Sequence, residues 1–201
     1  MLNNKELLIQ ILLELRSNGI KNNDLLKIIE RIPPHYYLNL FSQKSTKTKI
    51  IFNELIVIAK LIELVLSFNI KLENIFIIGF QKGWTLALFS NFAKRVYGSC
   101  SNLIQKNLLE DIFLRNNLKN IYLNKENSIK SWIKVAPFDL IITFKNTDDL
   151  DNIVSNLLSK AGIAIIPKFK NNRVKIIRTN KNLTFFETDL NFIDLTKSEL
   201  I

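Results

Sequence analysis

Short apolar runs alternate with helix-like segments from residue 74 onwards, and this alternation constrains the fold more than any other feature of the chain. The runs are continuous rather than interrupted by polar residues, which is typical of strands covered on both faces. Strands are predicted over 74–79, 95–100, 120–124, 138–144 and 162–168, and helices over 83–94, 101–115 and 148–160. Strands that alternate with helices at this spacing form βαβ units around a parallel sheet.

Two further runs near the end of the chain depart from this alternation. Residues 172–179, "NRVKIIRT", and 182–189, "NLTFFETD", are joined by the compact polar turn "NKN". A turn this short between two strand-like runs predicts a β-hairpin. We therefore expect an antiparallel pair beside the parallel sheet.

The N-terminal part of the chain has a helical pattern instead. One helix is predicted over 5–17, with Gly19 just beyond its end, and a second over 22–32, which stops at two prolines. A polar loop over 39–49 and a long buried helix over 53–69 follow. The expected fold is α/β and Rossmann-like, a mostly parallel seven-stranded sheet with a C-terminal antiparallel hairpin and an N-terminal helical segment.

The hydrophobic content of 47% in 201 residues is enough for one well-buried core. We expect a single domain over 1–201, with the helical segment at 1–70 and the Rossmann-like core at 71–201.

The charge balance is basic, because 28 Lys and Arg against 18 Asp and Glu give a net charge of +10. Proteins that bind nucleic acids or anionic membranes share such a balance. The basic residues are spread along the chain, however, which favours a general trend in residue usage over a selected patch. No membrane partner is expected, since the most apolar segment, 55–68, contains Lys60 and Glu63 and is shorter than the roughly 20 residues that cross a bilayer.

Cysteine and histidine are scarce. Cys100 is the only cysteine and His35 the only histidine, which excludes an internal disulfide and a Cys/His metal cluster. The N-terminal residues carry charges through their apolar pattern, unlike a signal peptide. The sequence therefore predicts a cytoplasmic protein without a metal site.

The turn after the first predicted strand, "GFQKG" at 79–83, is the candidate ligand site. In an open parallel α/β sheet, ligands bind beyond the carboxyl ends of the strands, at the point where the strand order reverses. The turn is not a P-loop, and it lacks the middle glycine of the common three-glycine pattern. Two glycines four residues apart also suit a plain tight turn between a strand and a helix, so both interpretations stay open.

Three stretches resemble, in order, the protein-L-isoaspartate O-methyltransferase family. They are 12–38, with "RSNGI" and "PPHYY"; 75–90, "IFIIGFQKGWTLALFS"; and 135–142, "VAPFDLII", shortly after Trp132. The resemblance implies the class I S-adenosylmethionine-dependent methyltransferase fold with a reversed final hairpin. It also implies S-adenosylmethionine as cofactor and isoaspartyl proteins or peptides as substrate, methylated on the α-carboxyl group so that their repair begins.

Carried over position by position, the resemblance assigns a set of cofactor-binding residues. They are Gly79, Phe80, Gln81, Gly83, Cys100 and Asn127. The chain departs from the family at Gln81, which replaces the middle glycine, and at Ile77, which replaces an acidic residue. Cys100 and Asn127 replace the acidic residues near the ribose and the adenine. A thiol in place of a charged acceptor is expected to forfeit about 1.5–3 kcal/mol of binding.

The family's catalytic segment has no clear counterpart. Phe52, Asn53 and Glu54 are nearest to it by spacing, whereas "SQK" at 42–44 lies too early, so the catalytic residues stay unknown. His35 has no Ser or Cys partner in recognisable spacing and is expected to be structural. Trp84 and Trp132 are expected in the core or in a pocket wall.

Three functions stay open on the sequence. The first is a carboxyl methyltransferase, and the second is a catalytically inactive relative that keeps the fold as a partner-binding module. The third, a nucleic-acid-binding protein, rests on net charge alone and is disfavoured because the basic residues are spread along the chain. An enzyme that methylates amino groups of nucleic acids is disfavoured, because no Asn/Asp-Pro-Pro-aromatic motif follows the fourth predicted strand. The oligomeric state is left open.

Overall fold

The computed structural model describes residues 4–38, 48–80, 83–125, 129–144, 154, 156–168, 173–180 and 182–189. Its helices are α1 (Asn4–Ser17), α2 (Asn23–Arg31), α3 (His35–Leu38), α4 (Thr48–Ser67), α5 (Trp84–Phe89) and α6 (Leu103–Arg115), with a 3-10 helix at Ile129–Lys134. Its strands are β1 (Asn74–Ile78), β2 (Arg95–Cys100), β3 (Ile121–Lys125), β4 (Phe138–Thr143), β5 (Leu158–Lys168), β6 (Arg173–Asn180) and β7 (Asn182–Asp189).

The strands form one seven-stranded sheet in the order β3-β2-β1-β4-β5-β6-β7. Strands β1 to β5 pair in parallel, whereas β6 is antiparallel to both β5 and β7. The strand order reverses between β1 and β4, where a ligand site is expected. The predicted α/β architecture and its C-terminal hairpin are confirmed.

Apolar side chains are buried on both faces of the sheet. Along β1, Ile75 and Ile77 belong to the larger core, which also contains residues of α1, α2, α4, α5 and α6. Phe76 and Ile78 belong to a second core, with Trp132 from the 3-10 helix. Because successive side chains of a strand point to opposite faces, a strand covered on both faces needs a continuous apolar run.

The N-terminal helices are joined by a well-defined turn. Gly19 has a φ of +90° and ends α1, as predicted. The side chain of Asn22 caps α2 by accepting from the Leu25 N–H at 2.9 Å. The Glu63 carboxylate on α4 accepts from the N–H groups of Lys21 and Asn22 at 2.7 and 2.6 Å. These contacts explain the residue types at two positions of "RSNGIKNND", Gly19 and Asn22.

Asp139 explains the "APFD" signature in structural terms. One of its carboxylate oxygens accepts from the N–H groups of Glu73 and Asn74, both at 2.9 Å, and the other accepts from the Ser159 hydroxyl at 3.0 Å. These groups lie at the start of β1, early in β4 and in β5. The signature therefore ties the sheet together at the end opposite the candidate site.

Two helix boundaries differ from the predicted ones by more than two residues, the start of α4 and the end of α5. Helix α4 begins at Thr48, so residues 48 and 49 are helical rather than part of the loop, whose other residues lie outside the described ones. Helix α5 ends at Phe89 rather than at 94. Beyond its end, the Asn120 side chain donates to the Ser90 and Ala93 carbonyl oxygens at 2.8 and 3.0 Å and so satisfies them outside the helix.

Strand β5 begins at Leu158, so the prediction of helix over 158–160 is wrong. Leu158 pairs with Phe138, and the register then shifts so that Leu140 pairs with Ile163. Because of this irregular pairing, residues 158–160 belong to the sheet, although their local sequence pattern predicts the end of a helix. Residues 154, 156 and 157 are helical as predicted, and 148–153 lie outside the described residues.

Candidate functional site

Two glycines frame the turn between β1 and α5. Gly79 has a φ of +75°, and Gly83, which caps α5, has a φ of +77°. Side chains are strained in this left-handed region. A Cβ on Gly83 would also lie 2.4 Å from Leu109 Cδ2 and 3.3 Å from Phe113 Cζ. Glycine is therefore required here both by conformation and by space.

Phe80 follows Gly79, and its ring is buried in the larger core. A Cβ built on Gly98 would lie 2.5 Å from Phe80 Cε1, so the ring occupies the space beside that glycine. Gly98 pairs with Ile77, two residues before Gly79. The ring thus turns back below the ends of β1 and β2.

The positions that are acidic in the resembled family carry no charge in the described part of this site. Ile77 is fully buried in the larger core. Cys100 ends β2 and is 1% exposed. Burial raises the pKa of its thiol to about 11, with a further increase from Glu110 and an opposing effect of Lys106. The thiol is therefore neutral at physiological pH and a weak hydrogen-bonding group.

The loop that follows Cys100 is held by polar side chains that the sequence analysis did not single out. Asn102 caps α6 by accepting from the Gln105 N–H at 2.8 Å. The Gln105 side-chain oxygen accepts from the Ser101 N–H at 2.8 Å and from its hydroxyl at 2.9 Å. The signal was present in the sequence, since Asn directly before an apolar helical run is a typical N-cap.

The predicted core positions of the two tryptophans are confirmed. Trp84 is 2% exposed, and its indole N–H donates to the Ile32 carbonyl oxygen at 2.8 Å. Trp132 is also buried and packs against Phe76 in the second core, with ring centroids 4.8 Å apart and the rings tilted by 42°. The hydrogen bond to Ile32 attaches the N-terminal segment to Trp84, the first residue of α5.

Helix α3 contributes two buried polar side chains that have no hydrogen-bond partner among the described residues. They are His35, through Nδ1, and Tyr37, through its hydroxyl. Burial lowers the pKa of His35 and raises that of Tyr37 far above its ordinary value. Both side chains are therefore neutral at pH 7. A structural role for His35 stays a prediction.

The other candidate residues either lie outside the described residues or have side chains that are not described. Gln81, Asn127 and "SQK" at 42–44 lie outside the described residues. Phe52, Asn53 and Glu54 are helical residues of α4 whose side chains are not described. Within the described ranges, no group of three or more His, Cys, Asp or Glu could hold a metal ion. The helices described there include none that is long and apolar enough to span a bilayer.

Comparison with known proteins finds no matching family model. Two curated relatives are both named protein-L-isoaspartate O-methyltransferase. The one from Maricaulis maris is 26% identical over 204 residues, covering 96% of this chain and 95% of the relative. The one from Pseudomonas fluorescens is 24% identical over 171 residues, covering 81% and 79%.

Two solved structures share the fold. A protein-L-isoaspartate O-methyltransferase-type protein from Plasmodium falciparum, in complex with S-adenosyl-L-homocysteine, has a TM-score of 0.70 at 14% identity over 92% of this chain and 96% of its own. A second protein-L-isoaspartate O-methyltransferase has a TM-score of 0.71 at 14% identity over 90% of this chain and 63% of its own. The resemblance inferred from the motifs and the class I methyltransferase fold are confirmed.

Proposed function

We propose that this chain, which is similar to protein-L-isoaspartate O-methyltransferases over nearly its whole length, is an S-adenosylmethionine-dependent carboxyl methyltransferase. Its substrate is an isoaspartyl-containing protein or peptide. The observation that carries the proposal is the turn between β1 and α5, framed by Gly79 and Gly83 with φ angles of +75° and +77°. The relatives of the same fold and length support it.

The described residues of this turn, 79, 80 and 83, are compatible with the cofactor. Gly79 presents backbone without a side chain at the carboxyl edge of β1, Gly83 allows close packing against α6, and the Phe80 ring lies in the core. The backbone of 79–83 would hold the methionine part of the cofactor, and the end of β2 at Cys100 would face its ribose. Asn127 is proposed to lie near the adenine, because the family resemblance assigns it this position.

The ribose end is the weak part of this fit. A neutral thiol replaces a carboxylate there, so hydrogen bonds to the ribose hydroxyls lose the contribution of a charge. The loss is about 1.5–3 kcal/mol, or roughly ten- to a hundredfold in affinity. We therefore expect binding that is weak but measurable.

The chemistry places few demands on the protein. When bound, S-adenosylmethionine supplies a methyl group on a sulfonium: a carboxylate oxygen bonds to the methyl carbon, the carbon–sulfur bond breaks, and its electron pair stays on sulfur. A carboxyl group with an ordinary pKa of about 4 is already ionised at neutral pH, so no base has to remove a proton. The chain has mainly to align the two groups and exclude water. A missing catalytic segment is compatible with this requirement.

Calorimetric titration with S-adenosylhomocysteine and S-adenosylmethionine tests the proposal, followed by methyl transfer to an isoaspartyl peptide. The matched control is the same peptide with an ordinary aspartyl residue. We expect binding and selective methylation of the isoaspartyl form. Absence of binding at millimolar cofactor overturns the proposal and leaves the partner-binding module, for which the neutral Cys100 and the buried Ile77 argue.

A cytoplasmic setting and a single domain are part of the same proposal. Cys100 is a free thiol buried in the core, which suits a reducing compartment. The helices before residue 70 share the larger core with the sheet, which supports one domain.

A further inference from the structure

The turn from Gly79 to Gly83 has to keep its shape without the middle glycine of the family pattern. Its described residues are held by contacts with the neighbouring elements β2, α5 and α6. Gly83 is held on one side by Leu109 and Phe113 of α6, which occupy the space where its Cβ would lie. The contact at the other end of the turn is made by Phe80.

Phe80 lies in a socket that exists because residue 98 is glycine. A Cβ on Gly98 would lie 2.5 Å from Phe80 Cε1 and 3.0 Å from both methyl carbons of Leu86. Glycine inside a strand weakens the strand and often marks a place where another group approaches closely. Gly98 lies in the interior of β2, between Tyr97 and Ser99. Gly98 thus lowers the stability of β2 and leaves space for the Phe80 ring.

The socket joins three elements at one point. Gly98 belongs to β2, Phe80 is the second residue of the turn, and Leu86 lies in α5. A ring seated beside Gly98 restricts where the α-carbon of Phe80 can lie, and therefore where the turn leaves β1. The ring is 6% exposed and lies below the strand ends, so it acts on the site through the backbone rather than by contact with a ligand.

We propose that Phe80 is a positioning residue that holds the cofactor-binding turn in shape through its contact with Gly98. This inference rests on the proposed function and refines it, because it moves Phe80 from the residues that touch the cofactor to those that place the turn. The contact fixes Phe80 at the start of the turn. Its loss changes affinity for the cofactor more than it changes the rest of the fold.

A pair of reciprocal variants tests the contact. Gly98→Ala places a methyl group against the ring, and Phe80→Leu removes the ring atoms that the methyl would meet. We expect each single variant to weaken S-adenosylhomocysteine binding by about tenfold or more, measured by calorimetry. The double variant should recover most of the lost affinity, because the shorter leucine leaves room for the new methyl. A double variant no better than Gly98→Ala overturns the inference.

A control separates positioning from general destabilisation. Gly162→Ala also crowds a strand, since its Cβ would lie 2.8 Å from the Phe138 carbonyl oxygen, but it does so in β5 away from the turn. We expect it to lower the melting temperature and leave the affinity of the folded protein unchanged. An equal loss of affinity in Gly162→Ala and Gly98→Ala would falsify the positioning role.

Amide hydrogen exchange over 79–80 and 83–86 gives a readout that needs no cofactor. Gly98→Ala should speed exchange in this segment relative to wild type, and the double variant should slow it again. Unchanged exchange overturns the inference even where binding is measurable. A wild-type chain that binds no cofactor overturns the proposed function instead, whereas faster exchange in Gly98→Ala still supports Phe80 as the residue that holds the turn.

Discussion

The indole N–H of Trp84 donates a buried hydrogen bond to the main-chain oxygen of Ile32 at 2.8 Å. This bond joins the first residue of α5 to the end of α2, across 52 positions of the chain. The Arg31 side chain adds a second tie by donating to the Asn91 side-chain oxygen. The N-terminal helices are therefore attached directly to the segment that carries the candidate site.

Replacement of Trp84 by Phe should cost stability, because it leaves the buried Ile32 oxygen without its donor. An unsatisfied buried acceptor costs about 1–3 kcal/mol, and the lost ring volume adds to that. Urea unfolding measures the change. Trp132→Phe removes similar volume from the opposite face of the sheet and serves as the matched control. A Trp84→Phe loss no larger than the control loss would argue against the hydrogen bond as the cause.

Replacement of Tyr37 by Phe should leave the chain as stable as before or more stable. The Tyr37 side chain is fully buried, and its hydroxyl has no partner among the described residues. Removing an unsatisfied buried hydroxyl relieves a cost of about 1–3 kcal/mol. Denaturant unfolding gives the sign directly. Tyr36→Phe is the control, since Tyr36 is 55% exposed and its change should stay within about 0.5 kcal/mol. A clear loss of stability in Tyr37→Phe reveals a partner for the hydroxyl.

The sheet was predictable from the sequence because its strands are delimited by local signals. Strands β2 and β7 have the predicted ends; the N-cap Asn102 follows β2, and the polar sequence "NKN" marks the start of β7. The start of β5 was not predictable, because residues around Leu158 have a local helical pattern. Their strand conformation depends on pairing with Phe138, a contact across twenty residues. Periodicity carries no information on such a pairing.

The candidate site was also predictable only in part. The glycines at 79 and 83 were predictable, since a strand followed by a spaced pair of glycines and a helix indicates a turn with positive φ. The inward orientation of Phe80 was not, because it depends on the space beside Gly98, eighteen residues away. The local signal for that contact was the glycine itself, inside an otherwise apolar strand.

Gly83→Ala should be more damaging than Gly19→Ala, although both residues have positive φ. A Cβ on Gly19 meets nothing within 4 Å, whereas one on Gly83 meets Leu109 at 2.4 Å. Backbone strain costs about 1–2 kcal/mol at either position, and crowding adds about 1–3 kcal/mol at Gly83 alone. Thermal unfolding of the two variants measures the difference. Equal losses would show that Leu109 moves aside without cost.

The buried thiol should make stability fall in alkaline solution. The pKa of Cys100 rises from its ordinary value of 9.0 to about 11 in the folded chain. The unfolded chain therefore releases this proton first, so the stabilising effect is complete below pH 9 and is lost as the pH rises towards 11. Urea unfolding from pH 8 to 11 should show a steeper fall for wild type than for Cys100→Ala. Parallel curves for the two proteins would exclude the thiol as the cause, because other alkaline groups titrate in both.

Cys100→Asp tests whether the end of β2 faces the ribose of the cofactor. A carboxylate there accepts hydrogen bonds from the ribose hydroxyls with the help of its charge, so affinity for S-adenosylhomocysteine should rise by about tenfold or more. The same substitution should lower the stability of the free protein, because Cys100 is 1% exposed and an unpaired carboxylate is costly in such a place. Cys100→Ser is the control, since it adds polarity without charge. Opposite changes in affinity and stability in the aspartate variant would assign the missing charge to cofactor binding, whereas equal affinities in all three proteins would place the ribose elsewhere.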